Sequence, residues 1–167
     1  TSRKHRDVRE QLHRMLLVGA LLVLAAGCDG GSRDGGGSTH YLTAAQTDVE
    51  YVAATAGLEL PPGADFAPPG NLAVAGDGQP IYYEAGSGRN DAQYFWYCAW
   101  AVEALKGTDP EVALSRMEQV TSMELWHSLD DNGRTQFNRQ VDLAQHGDFG
   151  LIGDFVRLNC DVQGVSS

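Results

Sequence analysis

Residues 94–100 read Tyr-Phe-Trp-Tyr-Cys-Ala-Trp, the densest aromatic block in the chain, and they constrain the fold most. The surrounding pattern predicts a helix from Asn90 or Asp91 to about Lys106, stopped at Gly107. On that helix Trp96 and Trp100 share one face, and Phe95, Ala99, Val102 and Leu105 line another. Tyr94, Tyr97 and Cys98 fall between them. Apolar groups therefore surround most of the helix, and such a helix belongs at the centre of a domain, packed on several sides. A sharper alternative puts Trp96 and Trp100, with Tyr82 or Tyr83, on the surface as a platform on which a sugar ring or peptide stacks.

The other elements are arranged around this helix. Thr43 and Gln46 have capping-box spacing and open a helix over 44–56. On it Ala45, Val49, Val52 and Ala56 repeat at helical intervals as the apolar face. Residues 58–90 are rich in Pro and Gly and read as irregular, with a hairpin of NLAV and PIYYE around Gly76-Asp77-Gly78. Thr108-Asp109-Pro110-Glu111 starts a further helix to about Ser128. Asp130 to Gly133 breaks it, and two more helices run from about Arg134 to His146 and from Asp148 to about Asn159. In the last of these, Leu151, Phe155 and Leu158 make the buried face. The fold class is mainly α, a small domain of four to five helices with one β-hairpin. At roughly 125 residues it buries about two-thirds of its unfolded surface and needs no metal to fold.

Motifs of chemistry are sparse. Gly86-Ser87-Gly88-Arg89 lacks the third glycine of a dinucleotide loop and the Gly-Lys-Ser/Thr of a Walker loop, so it reads as a loop before a helix. With Gly133 at the sixth place of a calcium loop, the first and twelfth places hold Ser128 and Arg139, and the motif fails. His40, His127 and His146 are too far apart to pair on one helical turn. Glu84 and Glu103 flank the aromatic block, but nothing in the sequence fixes the separation that a glycosidase pair requires. The sequence thus names no catalytic residue, no metal site and no cofactor.

The first 28 residues carry a different kind of information. Residues 1–14 hold five basic and two acidic side chains, and Met15 to Gly27 is uncharged. This is the layout of an export signal, with an apolar stretch too short to span a bilayer. Leu24-Ala25-Ala26-Gly27-Cys28 resembles the lipobox of bacterial prolipoproteins, although Ala25 stands where that family most often has Leu. The resemblance implies a signal peptide over residues 1–27, a diacylglyceryl group on the Cys28 thiol and attachment to the outer face of the cell membrane through two or three acyl chains such as palmitate. The alternatives are an ordinary secretory signal cut elsewhere, giving a freely secreted protein, and an uncleaved anchor.

With Cys28 lipidated, the three cysteines leave one pair, and Cys98 and Cys160 are expected to form a disulfide outside the cytoplasm. Residues 28–39 comprise the lipidated Cys and a tether in which five of residues 29–39 are Gly. Its full reach is roughly 40 Å. The globular domain spans 40–167. Pro61-Pro62-Gly63, the stretch from Tyr83 to Arg89 and the aromatic block resemble small exported proteins of high-GC Gram-positive bacteria, a likeness that implies no activity.

Charge restricts the partners. The whole chain is at −10, and without residues 1–27 it falls to −13. An acidic surface of this kind excludes a general nucleic-acid binder. The sequence leaves the membrane as a partner through Cys28, together with an envelope protein, peptide or glycan ligand. The reading is a binding or structural protein, with a small cell-envelope hydrolase as the alternative.

Overall fold

A computed structural model of the chain describes residues 40–160. The expected signal peptide over 1–27, Cys28 and the expected tether lie outside the described residues. The order of elements is β1 (Tyr41–Thr43), α1 (Ala44–Thr55), β2 (Tyr82–Glu84), α2 (Ser87–Lys106), α3 (Pro110–Glu118), α4 (Glu124–Ser128), α5 (Asp131–Gln145) and α6 (Gly150–Phe155). A 3₁₀ turn, Gln119–Ser122, follows α3, and a π-helical turn, Val156–Cys160, extends α6. The protein is mainly helical with one two-stranded antiparallel sheet.

Helix α2 is the centre, as its all-round apolar pattern requires. Phe95, Trp96, Tyr97, Cys98, Ala99, Trp100, Ala101 and Val102 are all buried. Tyr97 packs between Phe137 of α5, with ring centroids 4.5 Å apart, and Phe155 of α6, at 5.5 Å. A disulfide joins Cys98 to Cys160 with Cα atoms 5.5 Å apart, tying the end of the last turn to the middle of the central helix.

Local signals open and close most elements where expected. The Thr43–Gln46 capping box forms and Asp109 accepts from the Val112 amide, whereas α5 opens about three residues earlier than expected, because Asp130 accepts from the Gly133 amide and caps it. Gly107, with φ of 70°, ends α2 in the left-handed conformation that glycine takes without a Cβ clash.

Elsewhere tertiary contacts override the local pattern. The helix expected over 110–128 is broken at Met123, because the buried side chain of Gln93 on α2 accepts the Leu125 amide at 2.7 Å and starts a new helix there. The Gly76–Gly78 turn forms with a single bridge between Val74 and Pro80. The strand that follows it pairs with residues 41–43, in the register Tyr41↔Glu84, Leu42↔Tyr83, Thr43↔Tyr82. On the last helix the buried line is Ile152, Val156 and Cys160, while Leu158 points to solvent. Residues four apart drift by about 40° per step on an α-helix, and the wider i→i+5 turn at Val156–Cys160 absorbs that drift.

The largest correction concerns α1. The stripe Ala45, Val49, Val52, Ala56 faces outward, with Val49 69% and Val52 58% exposed. Ala44, Thr47 and Tyr51 are the buried face instead. The cause is a close crossing of α1 over Gly88 of α2, where a Cβ would lie 2.1 Å from the Thr47 carbonyl oxygen. The missing side chain of Gly88 admits the α1 backbone at Thr47 and Tyr51, which turns the hydroxyl-bearing face inward. The Thr47 hydroxyl is satisfied by donating to the Thr43 carbonyl at 3.1 Å, and the Tyr51 hydroxyl donates to the Ala67 carbonyl at 2.9 Å.

Candidate functional site

The expected aromatic platform does not form. Trp96 is 2% and Trp100 5% exposed, and both indole N–H groups donate to one acceptor, the Glu59 carbonyl, at 2.8 and 3.0 Å. A single carbonyl oxygen has two lone pairs, and here each serves one indole. The two tryptophans therefore hold the irregular segment after α1 against α2. Leu58, Leu60 and Phe66 of that segment pack on the core beside them. Arg116 of α3 closes the arrangement: its guanidinium lies 5.6 Å from the Trp100 ring centre and pairs with the Glu59 carboxylate at 2.7 Å.

The two tyrosines go separate ways. The Tyr83 hydroxyl bonds both the amide and the carbonyl of Leu72, each at 3.0 Å, and clips the loop to the sheet. Tyr82 is on the opposite side of the strand and is exposed. Of the four platform candidates, only Tyr82 presents most of its side chain to solvent.

The glycine stretch expected as a loop is instead the first turn of α2, with Gly86 as its N-cap, and it too is engaged within the protein. Gly86 has φ of 94°, and its amide donates to both oxygens of Glu50, at 3.0 and 2.9 Å. The start of a 20-residue helix, which attracts anions, is thus supplied with the protein's own carboxylate. Arg89 pairs with Glu124 and is likewise engaged.

Two neighbouring grooves lie between α3 and α5, of about 430 and 360 Å³. Glu118 and Gln145 line both, and their hydrogen bond of 2.6 Å forms a ridge between them. The floor consists of core side chains such as Met117, Phe137 and Leu114, and the rim carries Glu111, Glu118 and Asp142. Neither Glu84 nor Glu103 lines either groove; Glu103 pairs with Lys106 at 3.4 Å. Among the described residues no three His, Cys, Asp or Glu side chains converge as a metal site.

The perturbed titrations follow burial. Burial raises the phenol pKa of Tyr97 well above the ordinary range, and the neighbouring Tyr94 adds to the effect. Burial likewise raises Tyr94 and Tyr51, the latter helped by the nearby Asp91 carboxylate, which is itself raised by partial burial.

What the sequence did not disclose is the exposed apolar surface of the N-terminal part. Tyr41, Val49, Val52, Leu72, Val74 and Tyr82 are each more than half exposed. The signal was present in the regular spacing of Val49 and Val52, but the pattern alone does not say which way a stripe faces. The chain matches no protein-family model, no curated protein and no solved structure.

Proposed function

We propose that this chain is a lipid-anchored protein of the outer face of the cell membrane, with a binding role, attached through a diacylglyceryl group on Cys28. The Cys98–Cys160 disulfide carries the reading. Disulfides persist in oxidising compartments outside the cytoplasm, where an export signal over residues 1–27 would deliver the domain. The bond also takes two of the three cysteines, and the third stands at the end of Leu24-Ala25-Ala26-Gly27, as a lipid acceptor requires. With a net charge of −13 after residue 27, the protein gains nothing from anionic head groups, so two or more acyl chains supply the attachment. The binding role draws support from the α1 stripe, where Val49 and Val52, one helical turn apart, are both exposed, since an unpartnered apolar face marks an interaction site.

Intact-mass measurement of the detergent-extracted protein tests the anchor. The expected species begins at Cys28 and carries a diacylglyceryl group. Cys28→Ser is expected to leave the membrane fraction or remain unprocessed. A native chain without acyl mass on Cys28 overturns the reading.

A further inference from the structure

The exposed large apolar residues are unevenly placed. Six fall between residues 41 and 82, and three, Leu105, Val112 and Leu158, in the rest of the described chain. On α1 the stripe Ala45, Val49, Val52, Ala56 contains no charge. The chain enters it directly from the sheet, on whose outer face Tyr41, Thr43, Tyr82 and Glu84 alternate with the inward Leu42 and Tyr83. The junction is the capping box: the Thr43 hydroxyl bonds the Gln46 side chain at 3.0 Å, one residue along α1 from Ala45. The stripe cannot rotate inward, because the opposite face of α1 is set against Gly88 and the Glu50 carboxylate is fixed to the Gly86 amide.

Charge identifies the complement. From residue 40 to residue 86 there are six carboxylates and no lysine or arginine. Arg116 neutralises Glu59. Asp48, one turn before Val52 at the edge of the stripe, accepts from the uncharged Asn71 amide at 2.8 Å and is matched by no cation there. Glu84 stands beside Tyr41 and Tyr82 on the outer face of the sheet. A second copy docked on this face would set the same carboxylates against each other, and an anionic bilayer would be repelled in the same way. The surface that fits is apolar at its centre and basic at its edges.

We propose that the α1 stripe and the Tyr41–Tyr82 sheet face form a docking surface for a protein segment with an apolar helical face flanked by lysine or arginine. The apolar contact supplies the attraction, and Asp48 and Glu84 set the preference for cations. The proposal does not depend on how Cys28 is modified.

The experiment titrates fluorescent synthetic helices into the purified full-length protein in zwitterionic micelles, with micelles alone as the blank. One peptide has an Ala/Leu face with lysine flanks, and its counterpart has glutamate flanks. The lysine peptide is expected to bind at least tenfold more tightly than the glutamate peptide. Val49→Ser with Val52→Ser is expected to weaken it at least tenfold, with unchanged circular dichroism because both positions are exposed. Val112→Ser, at an exposed apolar site elsewhere, should have no effect. Equal binding of the two peptides, binding of neither, or indifference to the Val49/Val52 pair overturns the proposal. So does dimerisation in sedimentation, or binding to anionic vesicles, that the same pair abolishes.

Discussion

Replacing Gly88 with alanine isolates the contact that orients α1. The backbone at Gly88 is ordinary helix, so an alanine there meets no conformational penalty of its own. Its Cβ would lie 2.1 Å from the Thr47 carbonyl oxygen, 2.9 Å from the Tyr51 nitrogen and 3.0 Å from the Glu50 Cβ. Ordinary contact begins near 3.4 Å, so the two helices must separate by more than 1 Å at the crossing. Two of the three obstacles are backbone atoms, which cannot swing aside as a side-chain tip can. Overpacking of a well-packed interface costs about 1–3 kcal/mol, and a gap of this size forfeits a large part of the dispersion between the facing side chains. Against this stands a helix-propensity gain of up to ~1 kcal/mol, less near a helix start. A net loss of about 1–2 kcal/mol is expected for Gly88→Ala, read as a lower urea midpoint at unchanged slope, with the disulfide intact. Gly153→Ala is the control. It sits in α6 with nothing within 4 Å of the added Cβ, so there the same substitution should stabilise by up to ~1 kcal/mol. If Gly88→Ala is as stable as the parent, or if the two variants shift in the same direction, the close crossing does not govern the packing of α1.

Two further outcomes are expected. The Cys98–Cys160 bond closes a loop of 62 residues, and the chain-entropy relation gives it about 4 kcal/mol of stabilisation; the Cys98→Ala, Cys160→Ala protein should lose most of that in urea denaturation, and an unchanged midpoint would refute it. The Tyr97 hydroxyl is buried without a protein partner, and its folded pKa lies above the unfolded value of about 10, so its contribution is complete below that pH and is lost as pH rises above it. Tyr97→Phe should leave neutral-pH stability unchanged or raise it by up to ~1 kcal/mol, and should reduce the alkaline loss; a variant that is clearly less stable at pH 7 would show that the hydroxyl is satisfied.

Whatever depends on neighbours three or four residues away was legible in the chain. The Thr43–Gln46 box, the Asp109-Pro110 start and the Gly107 stop are such signals, and each forms where expected. The central place of α2 was legible too, because a helix apolar on all sides has no face to give to water. The disulfide followed from counting thiols once Cys28 was assigned elsewhere, and the fold brings Cys98 and Cys160 within bonding distance.

What the tertiary structure decided are matters of direction and of competition between distant groups. The periodicity of Ala45, Val49, Val52 and Ala56 defines a stripe but carries no sign. Gly88, more than thirty residues further on, turned it outward by taking the backbone of Thr47 and Tyr51 into close contact. The tryptophans became core when one carbonyl at Glu59, 37 and 41 residues before them, accepted both indole N–H groups. The helix begun at Pro110 broke because Gln93 accepted a distant amide, and the strand after the Gly76–Gly78 turn took its partner from residues 41–43. In each case a local preference of a few tenths to about 1 kcal/mol per residue competed with contacts between distant segments, and those depend on which segments the folded chain brings together.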